Sequence, residues 1–368
     1  MQISATLKTQ CENALDFAER QVRSLVQTHP GYLPMYTRDG KWKHDGAAWT
    51  NWCEGFVAGQ MWLLYRHSGT DFWLQKAVEY SKLLEGRQHD RAVHDLGFTF
   101  WSSWKRWYDA TGDETLDSTI VTAGQTMGLR FQEKGKYLRS FVAAESLFID
   151  IMMNVGIVFH AARATRDDGL WQRALDHSLT SRRYLVRGDG STAHEGIFDL
   201  ETGEFLRQST HQGWRNDSSW ARGLSWSLYG FGTVYEYTQD PRFLECAEMN
   251  ARFYMEQTPD HGVPPNDWAE PCPPDPFESS AAAIAASGFF NLARRVSDAT
   301  AARTYFDYAC TILDTLTAPP FLASRTPGWE GILLRGAYHQ RLGLGVNESV
   351  MWGEYFFLEA LAKALGYE

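Results

Sequence analysis

The sequence is as informative in what it lacks as in what it holds. Its five cysteines (Cys11, Cys53, Cys246, Cys272 and Cys310) are scattered, odd in number and without CxxC spacing. That pattern argues against a disulfide framework and a zinc site, and a reducing, cytoplasmic compartment is the expectation. No apolar run is long enough to span a bilayer, and the opening MQISATLKTQCENALDFAER has no signal-peptide core. No cluster of five basic residues occurs, and net charge is −10, so neither nucleic acid nor a membrane is expected as a partner. HExxH, P-loop, GxGxxG after a strand and GxSxG are all missing, which leaves metal, nucleotide and serine-nucleophile chemistry unsupported; no metal or cofactor is expected.

Aromatic residues, by contrast, make up 14% of the chain and include 15 Trp. A packed core accounts for part of them, and a cleft that holds flat apolar faces such as sugar rings accounts for the rest. An anionic ligand would have to be drawn in by a few placed cations, because the global field repels it.

Helical periodicity runs through nearly the whole chain, in a loose repeat of an apolar helix, a short turn containing Asp, and a more polar amphipathic helix. The instances cover residues 55–84, 95–124, 150–179, 219–255 and 280–313. The turn residues Asp71, Asp113, Asp168, Asp240 and Asp298 read as N-caps. A sixth apolar helix, SVMWGEYFFLEALAKAL, ends the chain without a partner, and an amphipathic segment from about Thr6 to Val26 begins it without one. Joining the two predicts an all-α (α/α)6 barrel of six inner and six outer helices, with residues 1–368 as one domain. The Pro-rich stretch from Pro259 to Pro276 reads as a loop within the series. Two Gly-rich stretches interrupt the helices: 187–213, read as a hairpin-like insertion at one rim, and the loop 325–347.

In such a barrel the inner helices start at one rim, where their N-termini favour an anion. The rim segments are Trp52 and Glu54, His94 and Asp95, Asp150, the stretch from Asp217 to Trp226, and Trp352 with Glu354. Asp150 lies among apolar residues in LFIDIMMN. Burial there would raise its pKa and suit a general acid, while a tie to backbone or to Asn154 on the same helix face is the plain structural alternative. Asp95, in HDLGF, sits where an N-cap is expected, yet with Asp150 it would complete an acid and base pair of the sort carbohydrate chemistry uses. His94 would orient it or face solvent. Arg222 and Trp226 share a helix face with Trp220 beside them; an Arg fork matches a carboxylate, though a salt bridge explains it equally. His194, His211, Gln212 and His339 are rim-loop polar residues, open to ligand or solvent.

These motifs, together with SRRYLVRGDGS, STHQGWRNDSSWARGLSWSLYGF and MWGEYFFLEAL, resemble the unsaturated glucuronyl hydrolases, glycoside hydrolase family 88, in order from about Trp49 to Leu361. The resemblance implies the same barrel and a partner that is a di- or oligosaccharide ending in Δ4,5-unsaturated uronic acid. It implies hydration of the C4=C5 bond, with Asp150 as acid/base and Asp95 as second carboxylate. Trp52, His94, His194, Gln212, Trp220, Arg222 and Trp226 match the sugar-contact positions. Departures are Glu54 in WCEGF, where a shorter Asp is common, and Phe141, where the family can carry a Trp that stacks on the leaving sugar. A Ser-x-x-Ser-x-Lys element linked to sulfated substrates is not evident. The alternatives are an unsaturated rhamnogalacturonyl hydrolase (family 105), a non-catalytic sugar-binding barrel, and an epimerase built on a histidine pair.

Overall fold

A computed structural model describes residues 1–42, 51–273 and 275–368, so Trp49 and position 274 lie outside the described residues. The inner helices are α2 (Gly55–Ser68), the pair α4 (Leu96–Ser102) and α5 (Trp104–Thr111), α7 (Ile151–Thr165), α9 (Ala221–Thr238), α11 (Ser279–Arg295) and α13 (Met351–Leu365). The outer ones are α1 (Ala5–Thr28), α3 (Asp71–Lys82), α6 (Asp117–Gly128), α8 (Asp168–Leu185), α10 (Pro241–Gln257) and α12 (Ala299–Leu316). Each inner helix packs on the next, from α2 through α4, α7, α9 and α11 to α13, and α13 returns to α2. The helix α1 closes the outer layer by packing on α13 and α12. The architecture is the all-α barrel that the repeat predicts, and no described helix is long and apolar enough to cross a membrane.

Composition separates the two layers. Helix α11 is buried at every position from Ser279 to Ala293, because neighbours enclose it on all sides. In α1 the buried residues (Leu7, Cys11, Ala14, Leu15, Ala18, Val22, Leu25, Val26) follow three- and four-residue spacing, so one stripe faces inward and the rest meets water. Of the five turn aspartates, Asp113, Asp240 and Asp298 accept backbone N–H groups as caps. The cap of α8 is Asp167 rather than Asp168, and Thr70 precedes α3 where Asp71 is already helical. The second inner helix is broken at Ser103 (φ −110°, ψ −81°). There the hydroxyls of Ser102 and Ser103 bond back to the carbonyls of Phe98 and Thr99, competing with the helical ladder.

The insertion at 187–213 contributes β6 (Glu195–Phe198) and β7 (Phe205–Ser209). They join β5 (Ser146–Phe148) in an antiparallel sheet of order β5-β6-β7. Two further two-residue pairings, β1 (Thr37–Arg38) with β2 (Lys41–Trp42) and β3 (Phe131–Gln132) with β4 (Tyr137–Leu138), and six isolated bridges complete the described β-structure. The sheet matters because β5 runs directly into Asp150 and β6 starts directly after His194.

Helices α4 and α7 touch at backbone level. A Cβ on Gly97 would come within 2.4 Å of Asn154 Cα, so only glycine permits this approach. Asn154, fully buried, spans the contact: its Oδ1 accepts the N–H of Phe98 at 2.6 Å and its Nδ2 donates to the backbone carbonyl of Asp150 at 3.1 Å. Gly97→Ala is therefore expected to lower thermal stability by a few kcal/mol, as overpacking against rigid backbone does. A melting curve coincident with wild type would show that the two helices separate freely.

Candidate active site

Backbone pairing sets the position of Asp150. Phe148 pairs with Glu195, and the N–H of Ile149 donates to the carbonyl of His194 at 3.0 Å, so Asp150 emerges beside the His194 ring. It occupies the cap position of α7, yet its side chain makes no cap hydrogen bond. Asp95 stands in the same relation to α4, again without a side-chain cap. The plain cap reading of Asp95 fails, and so does the tie of the Asp150 carboxylate to Asn154, which binds the Asp150 backbone instead. Oδ2 of each aspartate is buried with no hydrogen-bond partner among the described residues.

Each carboxylate faces an imidazole whose tautomer is fixed from behind. Nδ1 of His94 accepts the N–H of Phe141 at 3.0 Å, and Nδ1 of His194 accepts the N–H groups of His211 (3.2 Å) and Gln212 (3.3 Å). A neutral ring that accepts at Nδ1 carries its proton on Nε2. Those Nε2 atoms lie 3.3 Å from Asp95 Oδ1 and 3.5 Å from Asp150 Oδ2. Burial, with help from nearby positive groups, holds both histidines well below the usual range, so both rings are neutral donors.

The carboxyl groups shift the other way. Burial raises Asp150 to about 6, against the pull of Arg222 and His211. Asp95 is pushed well above the carboxylate range by burial first and by the charge of Asp150 second, with Arg130 and Arg87 opposing. Two carboxyls that repel one another's ionised forms can keep a proton between them near neutral pH, which is what a general acid needs.

These groups open on a cleft of about 520 Å³, mouth included, whose walls add Trp52, Phe141, Val142, Phe148, His211, Gln212, Arg222 and Tyr338. Trp52 leans on Trp352, with ring centroids 4.7 Å apart. Arg222 lies between the rings of Trp220 (4.3 Å) and Trp352 (5.0 Å). Its guanidinium donates to the carbonyl of Ala337, to the carbonyl of Tyr338 at 2.8 Å and to Gln212 Oε1 at 2.5 Å. Glu278 Oε2 sits 3.8 Å away. Arg222 thus lines the cleft but spends its fork on protein oxygens, and its grip on Gln212 leaves that amide's NH₂ group as a donor.

Six of the nine site residues expected from the sequence therefore line the cleft: Trp52, His94, Asp95, Asp150, Gln212 and Arg222. His194 stands one layer back, against Asp150, and Trp220 lies behind it with centroids 4.6 Å apart. Trp226 does not line the cleft either; it is fully buried against Phe98 (4.9 Å) and Phe356 (5.4 Å). Other rim expectations resolve as structure: Glu54 pairs with Arg87 at 2.5 Å, and exposed Asp217 pairs with Arg215. Glu354 accepts the N–H groups of Ile332 (2.8 Å) and Leu333 (2.9 Å). Phe148, Val142 and Tyr338 were not singled out, since nothing in their local sequence separates a cleft wall from a core. His211 carried a signal in its rim loop, and its pairing with Glu195 shows only in three dimensions. Among the described residues, no group of three or more His, Cys, Asp or Glu is arranged to hold a metal ion.

The Asp150 shift has a consequence for stability. A carboxyl raised in the folded state contributes stability that is complete below its unfolded pKa of 3.8 and is lost as pH climbs through about 6. Over that interval the loss approaches ~3 kcal/mol. Asp150→Asn is expected to melt above wild type at pH 8, with the gap closing toward pH 4. An equal or lower melting point at pH 8 would show that burial does not strain this group.

No protein-family model matches the chain. An unsaturated glucuronyl hydrolase of Formosa agariphila is 31% identical over 322 residues, covering 85% of this chain and 80% of its own. An unsaturated chondroitin disaccharide hydrolase of Streptococcus pneumoniae is 29% identical over 330 residues, covering 85% and 82%. The crystal structure of an unsaturated glucuronyl hydrolase specific for heparin superposes with a TM-score of 0.88 at 29% identity, covering 97% of this chain and 96% of that one. With a closed helical ring and two buried carboxyls at its rim, this chain is a glycosidase that belongs to the unsaturated glucuronyl hydrolases, glycoside hydrolase family 88.

Proposed function

We propose that the enzyme removes Δ4,5-unsaturated uronic acid from the non-reducing end of lyase-derived oligosaccharides by adding water across C4=C5. The observation that carries this reading is the pair of buried carboxyls in one cleft, each opposed by a neutral Nε2–H imidazole. Asp150, protonated at the start, delivers its proton to C4. The positive charge that develops at C5 and the ring oxygen is met by water, whose oxygen bonds to C5 and whose proton returns to Asp150. The hemiketal at C5 then opens: the C5–O5 bond breaks to a ketone, leaving a hemiacetal at C1 that releases the next sugar. Asp95 holds a substrate hydroxyl beside Asp150, whose own burial favours its protonated form.

Trp52, Phe141 and Phe148 offer apolar faces to the sugars. Phe141 in place of an indole favours a leaving sugar that needs less stacking area. The polysaccharide source is best approached through a panel of unsaturated disaccharides from chondroitin, heparin and rhamnogalacturonan, since the relatives named above differ in theirs. Five free cysteines, three of them buried, support a reducing compartment.

Turnover is followed as loss of the ultraviolet absorbance of the unsaturated ring. Asp150→Asn should lower kcat at least ~10³-fold while disaccharide binding survives. Near-normal rates in that variant would remove Asp150 from the acid/base role. A saturated glucuronide of the same linkage should not be cleaved; its hydrolysis would indicate displacement at C1 instead. Because the acid form of Asp150 is the active one, kcat/KM should fall toward tenfold per pH unit above about 6. A rate that rises through pH 7 would contradict that assignment.

A further inference from the structure

Hydration at C5 places one demand on the cleft that the two aspartates do not meet. The uronate carboxylate is bonded to C5, the neighbour of the carbon that Asp150 protonates. Its receptor must therefore lie close to Asp150 and carry positive charge, in a chain whose net charge is −10. Among the described residues that line the cleft, the cationic candidates are few. His94 is neutral, and Arg222 gives its N–H groups to Ala337, Tyr338 and Gln212 with Glu278 beside it. Arg130 does not line the cleft and donates to the carbonyls of Arg139, Arg91 and Ser140.

His211 is different. It lines the cleft with its side chain 40% exposed, and its ring lies 5.3 Å from that of Phe148, two residues before Asp150. Its Nε2 is 3.3 Å from Oε2 of Glu195, a carboxylate only 3% exposed. Glu195 is itself fixed on β6 by the hydroxyl of Ser146, which donates to Oε1 at 2.5 Å. The other ring nitrogen, Nδ1, makes no hydrogen bond among the described residues. A histidine that gives one N–H to a buried carboxylate keeps its proton, and then has a second, charge-assisted N–H to offer. We propose that His211, tethered by Glu195, is the donor that receives the uronate carboxylate, with Glu195 as the positioning residue behind it. The proposal rests on the hydration reading given above.

The other titratable groups facing His211 are Asp150 before α7, His194 before β6 and His339 of the 325–347 loop. The hydrogen bond that His211 donates to Glu195 raises it above its ordinary value, and the charges of Glu195 and Asp150 add to this, while burial opposes it. The site is thus charged in the pH range where Asp150 holds its proton, and it loses charge as pH rises.

Binding is measured by calorimetry with an unsaturated chondroitin disaccharide in an Asp150→Asn background, which removes both turnover and the titration of Asp150. Affinity should fall as pH rises from 5.5 to 8.5. Adding His211→Asn should weaken binding roughly 10- to 100-fold at pH 5.5 and flatten the pH dependence. Adding Glu195→Gln, which can still accept from Ser146, should preserve affinity at low pH and move its decline to lower pH. Unchanged affinity in the His211→Asn variant, or a decline that Glu195→Gln does not move, overturns the proposal. The two readings fail separately. If the unsubstituted enzyme consumes the disaccharide while His211→Asn binds like its parent, the carboxylate assignment alone falls. If it leaves the absorbance of every disaccharide in the panel intact, the hydration reading falls and takes this one with it.

Discussion

Burial of two carboxyls, brought together by a glycine-sized gap between helices, is the constraint on which the cleft depends. Gly97 lets α4 lie against α7, and Asn154 locks the contact by binding backbone on both sides. The two cap positions then open into one cleft with their side chains unspent on capping. A cap aspartate normally gives its oxygens to helix N–H groups and stays ionised. Here the caps are left bare and buried, which raises both pKa values. The same geometry that costs stability at high pH supplies a proton donor near neutrality.

The surroundings of this pair are organised around donors whose state is fixed in advance. Backbone N–H groups occupy Nδ1 of His94 and His194, so neither ring needs to change tautomer to offer Nε2–H. The three-stranded sheet supplies this order, since the pairing of β5 with β6 places Asp150 and His194 in step, and β7 leads to His211 and Gln212. An all-helical ring alone would supply the rim; the small sheet supplies the register of the groups on it.

Much of this was legible in the sequence, and the limits have physical reasons. The ring was readable because burial on two sides makes a helix such as α11 apolar all round, while burial on one side leaves the stripe seen in α1. Asp150 stood out because an acid among apolar residues has few cheap explanations. The insertion at 187–213 was readable as strands, but β5 at Ser146–Phe148 was too short to announce itself. The break at Ser103 was missed because back-bonding by Ser102 and Ser103 leaves the hydrophobic period intact. Trp226 was placed in the site by its helix face, and the depth at which it lies, under Phe98, is not a property of that face. The Glu195–His211 pair spans sixteen residues and exists only once β6 and β7 are paired.

The loop that closes one side of the cleft is anchored in an unusual way. Glu354 binds the N–H groups of Ile332 and Leu333, Glu278 binds the N–H of Ala337, and Arg222 binds the carbonyls of Ala337 and Tyr338. Every one of these anchors reads main chain, and none reads the identity of a loop residue. Apart from Glu330, which accepts the N–H of Trp42, and Trp329, whose indole donates to Ser349, exposed side chains of the loop can therefore be rewritten without loosening these anchors. A lineage holding this scaffold could move between polysaccharide sources by drift at the rim while the proton chemistry beneath stays fixed.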